Sequence, residues 1–522
     1  MSNKKFEYVE QLIGYGIENG MLSELDVEMV RNALWKRLHI EESIDLVIRH
    51  RKQTEDIYSL LNQLTIEMKE SGEPLDYSYQ EEMFQSEIMG LLMPRNSEVN
   101  HIFWSLHRAK THFATEYFYN LSNASTYIRM DRVAKNVSWR CPSDFGELDI
   151  TINLSKPEKD PKEIALAKTL GSSVYPKCLL CVDNVGYPGN ISHPARSNHR
   201  IIEMTLDNEP WYMQYSPYVY YTEHAIVLCR DHRDMKITRN TFIRLCDFVD
   251  LVPHYFIGSN ADLHTVGGSI LTHDHYQAGN YEMPMMRANI VDVIKPSTDD
   301  DLRMEVLEWP LSVVRLVSDD REKIINWSAY LLKSWINYSD EQYDLIAHTN
   351  ERHNTITPIL RKVGNTYEMY LALRNNRKNE MHPDGIFHPH TEHHHIKKEN
   401  IGLIEVMGLA VLPARLDAEI KACIEEIMKQ KQEVGFDAHK LEAQPQLLKH
   451  VPWLVDLTPE IEVLLFQKEA TDATVKVELE AFFKREVGRK FEFALKDAGI
   501  FKTSYEGISQ FLRFSEEGYH AC

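Results

Sequence analysis

Positive charge is scarce in this chain. Its 522 residues include 58 lysines and arginines against 78 aspartates and glutamates, a formal net charge of −20 at pH 7. Nonspecific binding of nucleic acid depends on a basic surface that releases counterions, so we expect no nucleic-acid partner. A local basic pocket for a small anionic ligand is compatible with this balance.

Long apolar runs are missing as well, and cysteine is rare. No uninterrupted apolar stretch approaches the roughly 20 residues of a membrane helix, and the opening Met1-Ser-Asn-Lys-Lys does not resemble a signal peptide. The seven cysteines are an odd number scattered along the chain, which fits a reducing compartment better than a disulfide framework. We therefore expect a cytoplasmic protein with no membrane partner.

Helical patterns occupy both ends of the chain, whose length suggests two or three structural units. Residues 1–93 are predicted to form a helical N-terminal extension because apolar residues recur there at helical spacing, namely Val27, Val30, Leu34 and Leu38. Residues 412–522 are predicted to form a helical C-terminal region with a similar stripe, namely Ile420, Cys423, Ile424 and Ile427.

Between these regions, strands and helices alternate in an order that occurs twice. Residues 94–300 contain strand-like segments around a helix predicted over 241–252. Residues 301–411 contain strand-like segments around a helix predicted over 321–336. The repeated order predicts an α+β fold built from two similar halves.

The stretch from Asn260 to Gln277 carries the clearest chemical pattern. His273, His275 and Gln277 recur at period two, so an extended backbone would project them on one face. Upstream, Gly267-Gly268-Ser269 allows close approach of the backbone to a bound group. Free N–H groups beside imidazoles suit a phosphate, with a histidine as nucleophile. The alternative is a surface strand with two chance histidines.

A second chemical feature is Cys178-Leu-Leu-Cys181. The segment after it is rich in turn residues rather than helical, which disfavours a thioredoxin-like redox pair. Two thiolates at this spacing suit zinc, and His232 and His273 are the candidates for the other two ligands. The alternative is a pair of buried free cysteines.

The stretch from Asn260 to Gln277 resembles the uridylyl-transfer motif of the galactose-1-phosphate uridylyltransferases, members of the histidine-triad-like superfamily. That motif has an Asn, a small-residue turn with Ser, and His-x-His-x-Gln. The resemblance is strongest to the second sequence class and extends over nearly the whole chain. In the first class the residue between the histidines is Pro and a small residue precedes the Gln, where this chain has Asp274 and Tyr276.

The resemblance implies two histidine-triad-like half-barrel repeats of antiparallel sheet with helices. It assigns catalysis to three residues, with His275 as the covalent nucleophile assisted by Gln277 and Ser269. It assigns substrate contacts to Asn260, Gly267 and Gly268. The order of Cys178, Cys181, His232 and His273 matches the structural zinc ligands of the first class. No organic cofactor is expected, and a homodimer is compatible with the family.

The segment Lys397–Met407 is similar to the part of the family that binds the hexose phosphate. In that comparison Lys398 faces the phosphate and Glu405 a sugar hydroxyl, whereas the alternative is a plain amphipathic strand. First-class relatives carry a second metal on histidines of the second half. The corresponding strand here, Tyr370–Arg374, has no histidine.

Two further clusters are candidates for substrate contacts. Arg129 and Lys135 lie in a basic, partly apolar segment that could hold phosphate or ribose oxygens, or could be a solvated face. The histidine-rich loop His388–His395 is the rival active site, but Glu392 stands where the motif has Gln and no Gly-Gly-Ser turn precedes it. We predict that His388 and His390 complete the pocket of the main site.

The predicted function is uridylyl transfer from UDP-glucose to galactose 1-phosphate in galactose catabolism, through a uridylyl-histidine. The substrates are implied by the resemblance. Two alternatives stay open at this point. One is a nucleotide hydrolase or phosphorylase of the same superfamily, and the other is a non-catalytic metal-binding protein built on the histidine-rich loop.

Overall fold

A computed structural model describes residues 2–40, 56–155, 175–268, 270–432, 435–467, 470–502 and 504–520. Ser269 lies outside these residues. The described helices are Ser2–Glu18, Val27–Leu38, Ile57–Glu70, Ser78–Leu92, Asn96–Ala109, Thr111–Ala124, Met130–Val133, Arg239–Leu251, Arg321–Ile336, Leu403–Val406, Arg415–Lys429, Val451–Asp456, Thr458–Leu465, Asp472–Ala498 and Tyr505–His520. None of them is long and apolar enough to cross a membrane.

The N-terminal part is helical, as its apolar spacing predicts. The stripe on Val27–Leu38 is buried, and Asp56 caps the helix Ile57–Glu70 by accepting hydrogen bonds from two backbone N–H groups of its first turn. Helices continue past residue 93, however, as far as Val133. The helix Asn96–Ala109, which was not predicted from the sequence, buries only Val99 and Phe103.

Thirteen strands are described, in two sheets: β1 Val137–Ser143, β2 Gly146–Asn153, β3 Ile202–Leu206, β4 Glu209–Tyr215, β5 Ala225–Cys229, β6 Phe256–Gly258, β7 His275–Gly279, β8 Ile290–Ile294, β9 Arg303–Leu307, β10 Val313–Ser318, β11 Asn354–Val363, β12 Thr366–Asn375 and β13 Leu409–Pro413.

The larger sheet has ten strands in the order β3-β4-β5-β7-β6-β11-β12-β10-β9-β8. The strands β3 to β7 and the strands β8 to β12 each follow the order of three strands, a helix and two strands, and the last two strands of each set exchange places in the sheet. The halves join where β6 pairs with β11 in antiparallel fashion. The α+β fold with two similar antiparallel halves is therefore confirmed, and the repeat extends to strand order.

The smaller sheet connects distant parts of the chain. It has the order β1-β2-β13, and β13 runs parallel to β2. The helix Asp472–Ala498 lies so close to β1 that a Cβ on Gly488 would be 2.2 Å from the sulfur of Cys141. Since β13 directly follows the helix Leu403–Val406, this pairing places the predicted hexose-phosphate segment beside the first half.

Candidate active site

The strand that carries the motif lies inside the large sheet. β7 pairs with β5 on one side and β6 on the other, with His275 opposite Leu228 and Gln277 opposite Gly258. Residues two apart on a strand share a face, so His275 and Gln277 point the same way. The predicted row of three is wrong for His273, which precedes the strand at a bend.

The imidazole of His275 is held by its own backbone. The side chain is buried, and its Nδ1–H donates a hydrogen bond to the carbonyl oxygen of His273 at 2.7 Å. Nε2 is therefore the nitrogen whose lone pair is available for attack. Burial lowers the pKa of His275 to about 4, although the hydrogen bond to His273 opposes this shift. The ring is accordingly neutral at pH 7.

The two glycines of the motif turn leave no room for side chains. A Cβ on Gly267 would lie 2.4 Å from the carbonyl oxygen of Ala261, and one on Gly268 would lie 2.7 Å from Nδ2 of Asn260. The Asn260 side-chain oxygen accepts the backbone N–H of Leu403 at 2.9 Å. Asn260 therefore connects the motif to the segment predicted to bind hexose phosphate.

The four predicted metal ligands meet beside the motif. Cys178, Cys181, His232 and His273 each offer a ligand atom, and these atoms lie within 4.8 Å of one another. Nδ1 of His273 is 3.2 Å from the sulfur of Cys178, and Nδ1 of His232 is 3.2 Å from that of Cys181. Nε2–H of His273 donates to the carbonyl of Cys229 at 2.8 Å, which leaves Nδ1 as its ligand atom.

This donor set fits zinc better than a disulfide or a pair of free thiols. The two sulfurs are 3.5 Å apart, far longer than a disulfide bond of about 2.05 Å. Burial and the neighbouring Cys178 raise the pKa of Cys181 to about 11, so both thiols ionise together only beside a cation. Two sulfurs and two imidazole nitrogens at these separations match the tetrahedral coordination that zinc prefers.

The two lysines of the predicted hexose-phosphate segment have different surroundings. Lys398 is exposed, whereas its neighbour Lys397 is 2% exposed and places Nζ 2.9 Å from Oε1 of Glu405. The other carboxylate oxygen of Glu405 accepts the N–H of Gly402 at 3.1 Å. This segment forms the short helix Leu403–Val406 rather than a strand. The buried cation of the segment is therefore Lys397.

The basic segment around Arg129 borders a cavity of about 120 Å³. The guanidinium of Arg129 is already engaged by Asp131, with N···O distances of 2.6 and 2.8 Å, and Lys135 is exposed. Arg196 also lines the cavity, and among the described ion pairs it has no carboxylate partner. Arg129 thus lies at the edge of a cavity, and its positive charge is paired with the carboxylate of Asp131.

The two predicted residues of the histidine-rich loop have different surroundings. His388 is buried, with Nε2 3.2 Å from Oδ1 of Asn400, and the Asn400 amide donates to the carbonyl of Gly267 at 3.5 Å. His390 instead faces the C-terminal helical region, with Nδ1 3.3 Å from Asp497. His388 therefore reaches the motif through one intervening residue, and His390 anchors the loop.

Sequence reasoning missed His224. It is buried directly before β5, its Nδ1–H donates to the carbonyl of Tyr218 at 3.0 Å, and its Nε2 lies 3.3 Å from the side-chain oxygen Oε1 of Gln277. His224 thus lies against Gln277, which shares the strand face of His275. The only local signal was a histidine directly before an apolar strand.

Comparisons with known proteins show the family of the chain. Two family profiles match, described as the N-terminal and C-terminal domains of galactose-1-phosphate uridyl transferase, over residues 27–234 and 220–444. The chain is 47% identical over 517 residues to the galactose-1-phosphate uridylyltransferase of Caldanaerobacter subterraneus, covering 98% of this chain and 97% of that one. It is 43% identical over 516 residues to the enzyme of that name from Bacillus subtilis, covering 98% and 97%. The chain belongs to the galactose-1-phosphate uridylyltransferase family.

Proposed function

We propose that this chain transfers a uridylyl group from UDP-glucose to galactose 1-phosphate through a covalent intermediate on His275. The name shared by the relatives supports the reaction. The observation that carries the assignment to His275 is its hydrogen bond from Nδ1–H to the His273 carbonyl at 2.7 Å. This bond commits one ring nitrogen and leaves the other as a nucleophile.

In the first step Nε2 of His275 attacks the α-phosphorus of UDP-glucose. The new N–P bond forms as the bond from that phosphorus to the bridging oxygen breaks, and glucose 1-phosphate leaves with the bridging electron pair. In the second step a phosphate oxygen of galactose 1-phosphate attacks the same phosphorus. The N–P bond then breaks, which releases UDP-galactose and the neutral imidazole.

Residues around His275 are proposed to stabilise the charge that develops on the phosphoryl oxygens. Gln277 lies on the same face of β7 as His275, with its side-chain oxygen 3.3 Å from Nε2 of His224. The turn at Gly267 and Gly268 has no space for side chains, and its backbone N–H groups are proposed to donate to the phosphate. Donors placed in advance contribute more than donors that must reorient during the reaction. Ser269 keeps its proposed catalytic role from the resemblance.

We further propose that Cys178, Cys181, His232 and His273 hold one structural zinc ion. When bound, zinc supplies folding energy at this point of the chain. His273 then has a positioning role rather than a chemical one, because its ring is used as a ligand and its carbonyl orients His275. The two motif histidines thus have different tasks.

We propose substrate contacts for five further residues. Asn260 and Glu405 are proposed to lie at the junction between the uridylyl and hexose ends, since Asn260 bonds to Leu403 in the helix that contains Glu405. Lys398 and Lys135 are exposed and stay proposals for phosphate contacts. Arg129 is proposed to contact substrate from the cavity that it borders.

Mass spectrometry after incubation with UDP-glucose alone tests the proposal. We expect a uridylyl adduct on the peptide that contains His275, release of glucose 1-phosphate before any acceptor is added, and ping-pong kinetics. The variant His275→Gly should fold and lose both the adduct and transfer, whereas Gln277→Ala should slow transfer by roughly 10²–10³. An adduct on His388 or His390, or normal turnover by His275→Gly, would contradict the assignment.

A further inference from the structure

Asp274 separates the two motif histidines, and its carboxylate is buried in an ion-pair network. Oδ2 lies 3.4 Å from Nε of Arg233 and 3.7 Å from Nη1 of Arg244, with the Asp274 side chain only 6% exposed. Both arginines also pair with Glu209, at 2.6 and 3.2 Å. Two guanidinium groups therefore restrain the position of the buried Asp274 carboxylate.

The same residue is held through its backbone. The N–H of Asp274 donates to the carbonyl of Arg233 at 2.7 Å, and its own carbonyl accepts the N–H of Cys229 at 3.0 Å. Arg233 therefore contacts Asp274 through both its main chain and its side chain. The segment from Cys229 to Arg233 also carries His232, so it connects Asp274 to the metal-ligand cluster.

One peptide unit joins this network to the nucleophile. The carbonyl of His273 and the N–H of Asp274 belong to the same planar peptide group. The carbonyl accepts Nδ1–H of His275 at 2.7 Å, and the N–H donates to Arg233 at 2.7 Å. Rotation of this peptide would break both bonds at once. The orientation of His275 thus depends on an anchored peptide plane.

An aromatic stack supports the network from the core side of the sheet. The guanidinium carbons of Arg233 and Arg244 lie 5.9 and 5.4 Å from the ring centre of Trp211. Trp211 in turn stacks on Tyr276, with ring centres 4.9 Å apart and planes 8° from parallel. Tyr276 follows His275 in β7. The residues on both sides of His275 are therefore fixed to one rigid cluster.

We infer that Asp274, through Arg233 and Arg244, is a positioning residue that holds the His273–Asp274 peptide and so presents Nε2 of His275 to the phosphorus. This inference rests on the proposed role of His275. It assigns a task to Asp274 and Arg244, neither of which is proposed to contact the substrate. A small misorientation of a nucleophile can cost on the order of 10²-fold in rate.

The test is Asp274→Asn, which keeps the size of the side chain and removes its charge. We expect the rate of adduct formation from UDP-glucose and the kcat of transfer to fall by about 10- to 100-fold, with the KM values and the zinc content unchanged. The matched control is Asp207→Asn, because Asp207 also pairs with Arg244, at 3.2 Å, but has no bond to the motif. We expect Asp207→Asn to have the same kcat as the chain without substitutions.

A second comparison separates positioning from general damage. We expect the cavity left by His275→Gly to accept UMP joined to imidazole, whose ring replaces the missing side chain in the second step. Adding Asp274→Asn to His275→Gly should leave that rate unchanged, because no tethered imidazole is left to orient. Arg244→Gln serves as the second variant if Asp274→Asn does not fold.

Three results would overturn the inference. The first is a kcat for Asp274→Asn equal to that of the chain without substitutions, and the second is a loss of kcat in Asp207→Asn as large as that in Asp274→Asn. The third is an equally large loss of rate when Asp274→Asn is added to His275→Gly. Failure of the proposed function is distinguishable, because the unmodified chain would then form no adduct on His275.

Discussion

Two adjacent lysines provide a matched pair for testing the hexose-phosphate segment. Lys397 is 2% exposed and paired with Glu405 at 2.9 Å, whereas Lys398 is exposed. Methionine has similar length and no charge, so Lys397→Met and Lys398→Met differ only in which environment loses a cation. The first should destabilise the protein, and the second should leave its stability unchanged.

The expected magnitude follows from the burial of the pair. Removing one partner of a buried ion pair typically costs about 3–5 kcal/mol because the remaining charge is left uncompensated. The Glu405 side chain is 13% exposed and keeps its hydrogen bond from Gly402, so the lower end of the range applies. We expect Lys397→Met to lower the free energy of unfolding by about 3 kcal/mol, and Lys398→Met by no more than about 0.5 kcal/mol.

Urea unfolding followed by tryptophan fluorescence measures this difference, and steady-state kinetics give a separate readout. If Lys398 binds the hexose phosphate, Lys398→Met raises the KM for galactose 1-phosphate without moving the unfolding curve. Equal unfolding midpoints for Lys397→Met and the unmodified chain would refute the reasoning about the buried pair. Equal destabilisation by both variants would refute it too, because burial could not then be the cause.

Three further predictions concern the metal cluster, the histidine-rich loop and acid stability. Cys181→Ser should lower bound zinc, measured by mass spectrometry of the metal, together with the melting temperature; a melting temperature that falls without metal loss would contradict the zinc assignment. His388→Ala should remove the link through Asn400 to Gly267 and slow turnover, yet still give the adduct on His275. Burial lowers the pKa of His199 to about 3, below its value of about 6.5 in the unfolded chain. As the pH falls from 6.5 toward 3, the unfolded chain therefore takes up a proton at His199 that the folded chain does not, and the free energy of unfolding falls. His199→Gln should therefore flatten the loss of stability between pH 6 and 4 by up to about 1.4 kcal/mol per pH unit, measured by urea unfolding at each pH.

Much of the fold could be predicted from local pattern. The helix Arg321–Ile336 and the strands around it match the predicted segments because their apolar residues repeat at the period of each element. The metal cluster was also predictable, since the cysteine spacing and the chemistry of zinc restrict the ligand types. The helix Asn96–Ala109 was not predicted, and only Val99 and Phe103 of it are buried.

The sequence by itself indicated the motif that contains the proposed nucleophile, the four residues that meet in the candidate metal cluster, and the types of most elements. Only the tertiary structure decided that His273 lies before the strand, that Lys397 rather than Lys398 is buried, and that His224 contacts Gln277. It also decided that Arg129 is paired with Asp131 and that His390 is bound to Asp497. In irregular segments the direction of a side chain has no period to follow. It is set by contacts with residues far away in the chain, here the pairing of β13 with β2 and the packing of the C-terminal helices.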